Sequence, residues 1–266
     1  MSTDALVPRA RELWEGLAAA PVTFGPAGAV NVVVSPVSSM CPPGWVGLVV
    51  LGGSAIVTVP DDAAAARVRA AFAEVPADAL TDAGVVRALL PVVDMLGPAA
   101  LGYLSASDFR PVETVETLSA AAAAAAAAAT ATDAGRPSVG IRIEQLPVGH
   151  PDLCALEEAA GEQDAAEASI DEITSPAFVV REGGVVVAAC GYHAWPCRTA
   201  HVCVLTHPDW RGRGLARATA SATVVHALAE GLLPQWRARV PASRRVARAL
   251  GFREIGTQIS VELGDE

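Results

Sequence analysis

Lysine is absent from this chain of 266 residues: all 19 of its cationic side chains are arginine. That excludes Schiff-base chemistry and any phosphate loop that depends on a lysine. Cations are also outnumbered. The net charge of −10 argues against a general nucleic-acid binder, whose phosphate contacts need a basic surface. The five cysteines, Cys41, Cys154, Cys190, Cys197 and Cys203, are odd in number and lack CxxC spacing. A metal site or a disulfide framework is not expected from them; buried free thiols in a reducing compartment are. Long apolar runs are missing too. The alanine tract Ala120–Ala129 is too short and too weakly apolar to span a bilayer, and the charged first residues do not read as a signal peptide. A cytoplasmic protein without membrane or nucleic-acid partners is therefore expected.

What is present is organised around Val202–Ala222, VCVLTHPDWRGRGLARATASA. An apolar strand-like run leads into a turn at Thr206–Asp209, then into Arg211-Gly212-Arg213-Gly214. A helical pattern follows, with Leu215, Ala218, Ala222, Val225 and Ala229 on one face. A helix start offers unpaired N–H groups and partial positive charge, and glycines let a ligand approach the backbone. The stretch thus predicts a site for an anionic, phosphate-bearing ligand.

Elsewhere the chain alternates strand and helix patterns, giving an α/β fold with a mixed sheet. In the first half an amphipathic helix is predicted over 4–20, strands over 30–34, 46–51 and 55–59, a helix from Asp61-Asp62, a second over 78–96 and a short strand over 101–104. Residues 118–138, rich in alanine and ending in Thr-Asp-Ala-Gly-Arg-Pro, read as a linker between an N-terminal domain, 1–117, and a C-terminal domain, 139–266. The second half reads as a strand over 139–146, two acidic helices, a Gly183-Gly184 hairpin, the organising strand, loop and helix, and then strand, helix and strand. LVVLGGSAIV and FVVREGGVVV form similar units, so the first half is also readable as a degenerate copy of the second.

Arg211–Ala216 fits R-x-x-G-x-A, and Ala242-Ser243 and Leu250-Gly251-Phe252 follow at the expected intervals. With this order of elements, residues 138–266 resemble the GNAT superfamily of acyltransferases, whose acyl-coenzyme A signature is Q/R-x-x-G-x-G/A. The resemblance implies an acyl-CoA-dependent N-acyltransferase using acetyl-CoA as co-substrate. It puts the diphosphate on backbone N–H groups of Arg213, Gly214, Leu215 and Ala216, with Arg211 and Gly212 completing the loop. The pantetheine arm would pair with backbone around Val204, Leu205 and Thr206, and Ser243 would lie close to the coenzyme. No metal is implied.

The mechanism implied is direct attack of a neutral amine on the thioester, with a base to take the proton. Two family positions differ here: Ala247 stands where a tyrosine acid is common, and Val240 where an asparagine is. The candidates for the base are Glu167, Tyr192, His193 and His201. Nine carboxylates lie between Asp152 and Glu182, and ten arginines between Arg198 and Arg253. Because the acidic helices flank the acceptor groove in the family, the resemblance implies that they draw in a cationic acceptor, hence an amine; a merely solvated acidic face is the other reading of the same charges. The other expectation to weigh is a catalytically silent acyl-CoA-binding or regulatory module. For the first half, closing over the acceptor or forming a homodimer are the two roles considered.

Overall fold

Two glycine pairs set the hairpins. Gly52-Gly53 and Gly183-Gly184 all adopt positive φ, between 57° and 86°, the left-handed conformation that a two-residue turn between twisted strands requires. The computed structural model describes residues 5–112, 115–118 and 141–264. The chain forms two compact units. One comprises Met1–Ser107, Arg237–Arg244 and Arg253–Glu266; the other comprises Asp108–Trp236 and Arg245–Phe252. The alanine-rich stretch read as a linker lies, beyond Leu118, outside the described residues.

In the first unit, α1 (Leu6–Leu17) precedes β1 (Val30–Val34), β2 (Val46–Leu51) and β3 (Ser54–Val59). Then come α2 (Asp62–Ala71), α3 (Ala83–Leu89) and β4 (Val92–Tyr103). Asp61 caps α2 by accepting from the Ala64 N–H at 2.8 Å. The strand β11 (Arg253–Leu263) completes this sheet, running antiparallel between β2 and β4. β1 joins parallel to β3 on the far side of the β2–β3 hairpin. Leu48, Val57, Ile259 and Val261 of the sheet bury Val68 and Phe72 of the α2 segment, and Val86 of α3, in one core. On α1, Trp14 Nε1 donates to the buried Tyr103 hydroxyl at 2.7 Å.

Two features differ from the sequence reading. Residues 92–96, expected in a helix reaching Leu96, are strand. Pro91 follows Leu90 and ends the helical pattern, and β11 supplies a partner that pairs Met95 with Val261. The C-terminal strand, read with the second half, contributes its hydrogen bonds to the first unit's sheet.

The second unit's sheet is built from β5 (Val115–Leu118), β6 (Ile141–Leu146), β7 (Ala177–Glu182), β8 (Val185–Trp195), β9 (Thr199–Thr206) and β10 (Leu233–Ala238). The order is β10-β9-β8-β7-β6-β5, with the β9–β10 and β5–β6 pairs parallel and the rest antiparallel. The helix α6 (Leu215–Ala229) lies on one face, where Leu215, Ala218 and Ala222 pack on Phe178, Val180 and Ala188. The other face is covered by α4 (Pro151–Ala160), α5 (Glu162–Ala168) and a 3-10 turn, Ile170–Glu172. There Leu153, Leu156, Ile170 and Ile173 cover Val179, Ala189, Cys203 and Leu205. After β10, α7 (Pro241–Leu250) leads into β11. Among the described residues no helix is long and apolar enough to cross a membrane.

Candidate functional site

The strand β9 ends at Thr206, and a 3-10 turn, Pro208–Trp210, leads into Arg211-Gly212-Arg213-Gly214 and α6. Gly212 and Gly214 sit at φ +77° and +79°, and a Cβ built on either would meet nothing within 4 Å. Both glycines are therefore required by backbone conformation, and both face open space. Gly214 is the N-cap of α6 and provides no side-chain cap. The helical ladder begins with Ala218 N–H on Gly214 C=O, so the N–H groups of Leu215, Ala216 and Arg217 precede it. Uncapped N–H groups beside two open left-handed glycines suit a diphosphate.

The loop's arginines brace it. The Arg211 guanidinium pairs with Asp164 of α5 at 2.5 Å, and Arg213 lies over the Trp210 ring, 4.3 Å from its centroid. Thr206 Oγ1, beside the loop, is a buried hydroxyl without a hydrogen-bond partner.

Beside this loop two parallel strands part. β9 and β10 are in register at three pairs only, ending with Gln235 opposite His201. Beyond that point Val202–Thr206 continue on β9 with pairing to β8 alone. One backbone edge of Val204, Leu205 and Thr206 is thus left open toward β10, where an extended ligand could pair strand-like.

The base candidates divide between the two faces of the sheet. His193 and His201 stand directly opposite each other on β8 and β9. Both lie on the face covered by α4 and α5, to which the alternate β9 residues Cys203 and Leu205 also belong. His201 is stacked on Trp195 with ring centroids 4.2 Å apart, and its Nδ1 lies 2.5 Å from Gln235 Oε1. His193 Nδ1 is 3.9 Å from Glu172 of the 3-10 turn. Tyr192 points the other way: its hydroxyl is hydrogen-bonded with His226 Nδ1 of α6 at 3.2 Å. Burial, and secondarily the Glu230 carboxylate, push its phenol up from the usual range. Glu167 lies on the exposed side of α5.

Gln235 was not singled out by sequence reasoning, nor were Trp195 and Asp164. A lone polar residue inside Leu233-Pro234-Gln235-Trp236 is the signal that was available, since a fully buried amide needs partners. Ser243, on the first turn of α7, belongs to the first unit. Of the five thiols expected to be buried, Cys190 and Cys203 are, whereas Cys154 is exposed and Cys41 and Cys197 are partly buried; desolvation pushes the Cys190 thiol up, away from nucleophilic range. Among the described residues no His, Cys, Asp and Glu cluster could hold a metal ion.

The family model described as GNAT acetyltransferase matches residues 175–258, from β7 into β11. Among solved structures, a GCN5-related N-acetyltransferase from Kribbella flavida superposes with a TM-score of 0.52 at 18% identity, covering 98% of this chain and 96% of its own. A protein assigned to the GNAT family from Novosphingobium aromaticivorans matches at 21% identity and a TM-score of 0.44, over 65% of this chain and 67% of its own. No curated protein matches the sequence. Open glycine loop, uncapped helix and parting strands all fall within the matched segment, and that segment is similar to the GNAT acetyltransferase family.

Proposed function

We propose that this protein is an N-acyltransferase that moves an acetyl group from acetyl-CoA to an amine. The observation that carries the reading is the parting of β9 and β10 beside the uncapped start of α6. The acyl donor fits what is present. Its diphosphate would meet the N–H groups of Arg213, Gly214, Leu215 and Ala216, with Arg211 and Gly212 shaping the loop. Its pantetheine amides would pair with the open edge of Val204, Leu205 and Thr206, where the Thr206 hydroxyl is a further buried group in want of a partner.

Of the four candidates, His201 is the base this reading prefers. It occupies the last paired position before the strands separate, on the face whose covering helices carry the carboxylates. A neutral imidazole takes the proton as the amine attacks the thioester carbonyl, and the carbon–sulfur bond breaks with the electron pair leaving on sulfur. Acidic residues on α4, α5 and the 3-10 turn would draw a cationic amine toward this face.

The second reading is an acyl-CoA-binding module without turnover. Ala247 and Val240, at the positions where the family commonly has a tyrosine and an asparagine, favour it. Titration with acetyl-CoA, followed by thiol release across a panel of amines, separates the two. Tight coenzyme binding with release above background for at least one amine supports the transferase. Binding without release for every amine supports the module, and no binding overturns both.

A further inference from the structure

The two arginines of the glycine loop are placed differently. Arg211 is neutralised by Asp164, whereas Arg213 is exposed and has no carboxylate partner among the described residues. Gly212, at φ +77°, turns the chain between them, and Arg213 lies back over Trp210 with its guanidinium carbon 4.3 Å from the ring centroid. The ring is itself seated, since Trp210 packs against the core cluster that holds Phe178, Leu215 and Ala218. The turn that carries it is pinned: His207 Nδ1 accepts the Asp209 N–H, and the Trp210 N–H donates to His207 C=O. One end of the guanidinium donates to Asp209 C=O at 3.4 Å. Among the described residues these are its only hydrogen bond and its only ring contact.

A guanidinium is a flat plate with two faces and an edge of donors. A phosphate is met by the edge, a planar base by a face. In Arg213 one face lies on Trp210 and part of the edge is turned to Asp209, while the side chain is exposed. What it offers a ligand is the outer face, held flat in advance by the indole. The plate stands on the first of the four residues whose N–H groups are proposed for the diphosphate. We propose that Arg213, backed by Trp210, stacks on the adenine of coenzyme A, so that the protein takes its acyl group from a free CoA thioester and not from the phosphopantetheine arm of a carrier protein, which has no base. The inference rests on the acyl-CoA reading for the diphosphate and adds the side chains that read the nucleotide end. Lysine, with the same charge but no plane, does not substitute for Arg213 in this role.

The test titrates the full chain by calorimetry with three probes. They are coenzyme A, adenosine 3′,5′-bisphosphate, which is its nucleotide end, and 4′-phosphopantetheine, which lacks the nucleotide. The wild-type protein is expected to bind coenzyme A about tenfold or more tightly than 4′-phosphopantetheine. Arg213→Lys is expected to weaken coenzyme A and the bisphosphate together, about 3- to 10-fold, and to leave 4′-phosphopantetheine within about twofold. Trp210→Leu, which removes the backing ring, is expected to weaken the same two probes. Arg213→Lys, at an exposed position, carries the decision if Trp210→Leu does not fold. Unchanged affinity for coenzyme A and the bisphosphate in Arg213→Lys overturns the proposal. So does an equal loss for all three probes, which would make Arg213 a plain phosphate contact. In both cases the wild-type protein still binds coenzyme A and the acyl-CoA reading stands; failure of the wild-type protein to bind coenzyme A overturns that reading and this inference together.

Discussion

The Arg211 guanidinium meets the Asp164 carboxylate at 2.5 Å, tying the glycine loop to α5. Both side chains are about half exposed, so the pair itself contributes little stability, roughly 0.2–1 kcal/mol after solvent screening. Its larger effect is on charge, because Asp164 neutralises one of the two arginines of the loop proposed to hold the diphosphate. Asp164→Asn is expected to leave thermal stability within about 1 kcal/mol and to tighten coenzyme A binding a few-fold at low salt, with the gain fading as salt rises. Calorimetric titration at two salt concentrations checks this. Weaker binding would mean that Asp164 serves to hold Arg211 in place.

Gly214 makes a stronger demand. At φ +79° with open space where a Cβ would stand, a β-branched residue is opposed by backbone conformation and would cover the exposed N–H groups. Gly214→Val is expected to cost about 1–3 kcal/mol of stability and to weaken coenzyme A binding more than tenfold while the sheet persists. Urea unfolding and titration read the two effects separately. Unchanged affinity would remove the loop from the coenzyme site.

The parts of this molecule that could be read from its sequence are those written in local patterns. Gly212 and Gly214 precede a helical face of Leu215, Ala218 and Ala222, so the loop and α6 follow from neighbouring residues alone. The hairpins at Gly52-Gly53 and Gly183-Gly184 are local in the same way. What was not legible depends on distant partners. Residues 92–96 suit a helix or a strand, and their pairing with residues of β11 decides the matter. That β11 closes the first unit's sheet is likewise a relation between residues some two hundred positions apart, such as Gly256 and Leu51. Within the site, His201 was visible as a titratable group at a strand start. Its partner Gln235 was not, because nothing in Leu233–Trp236 announces which strand lies alongside.

Alkaline pH should weaken the fold. Burial pushes the Cys190 thiol and the Tyr103 phenol up, and raises Cys41 and Tyr192 in the same direction. Each group keeps its proton in the folded state at pH values where the unfolded chain has lost it. Folded protein then binds more protons than unfolded, so stability falls as pH rises. The contribution is fully present below the unfolded thiol value near about 8.5, and the decline from Tyr192 and Tyr103 joins it above about 10. Each group adds at most about 1.4 kcal/mol per pH unit within its window. Urea unfolding between pH 7 and pH 10, with limits set by those ordinary values, checks the sign. Cys190→Ala should flatten the first part of the decline.

The two strongest candidates for the base point to opposite faces of the sheet, which makes them separable. Tyr192 turns toward α6 and spends its hydroxyl on His226 at 3.2 Å, whereas His201 turns toward the carboxylate-bearing side at the last paired position before β9 and β10 part. Tyr192→Phe is expected to cost about 0.5–1.5 kcal/mol, the usual contribution of one hydrogen bond, and to leave kcat and coenzyme binding unchanged. His201→Asn is expected to lower kcat roughly 10²- to 10⁴-fold, the span of general-base catalysis, with coenzyme binding retained. Steady-state kinetics on one responsive amine, paired with coenzyme titration, measures both variants together. If Tyr192→Phe loses turnover and His201→Asn keeps it, the proton leaves on the α6 face, and the acceptor must then approach from the side opposite to α4 and α5.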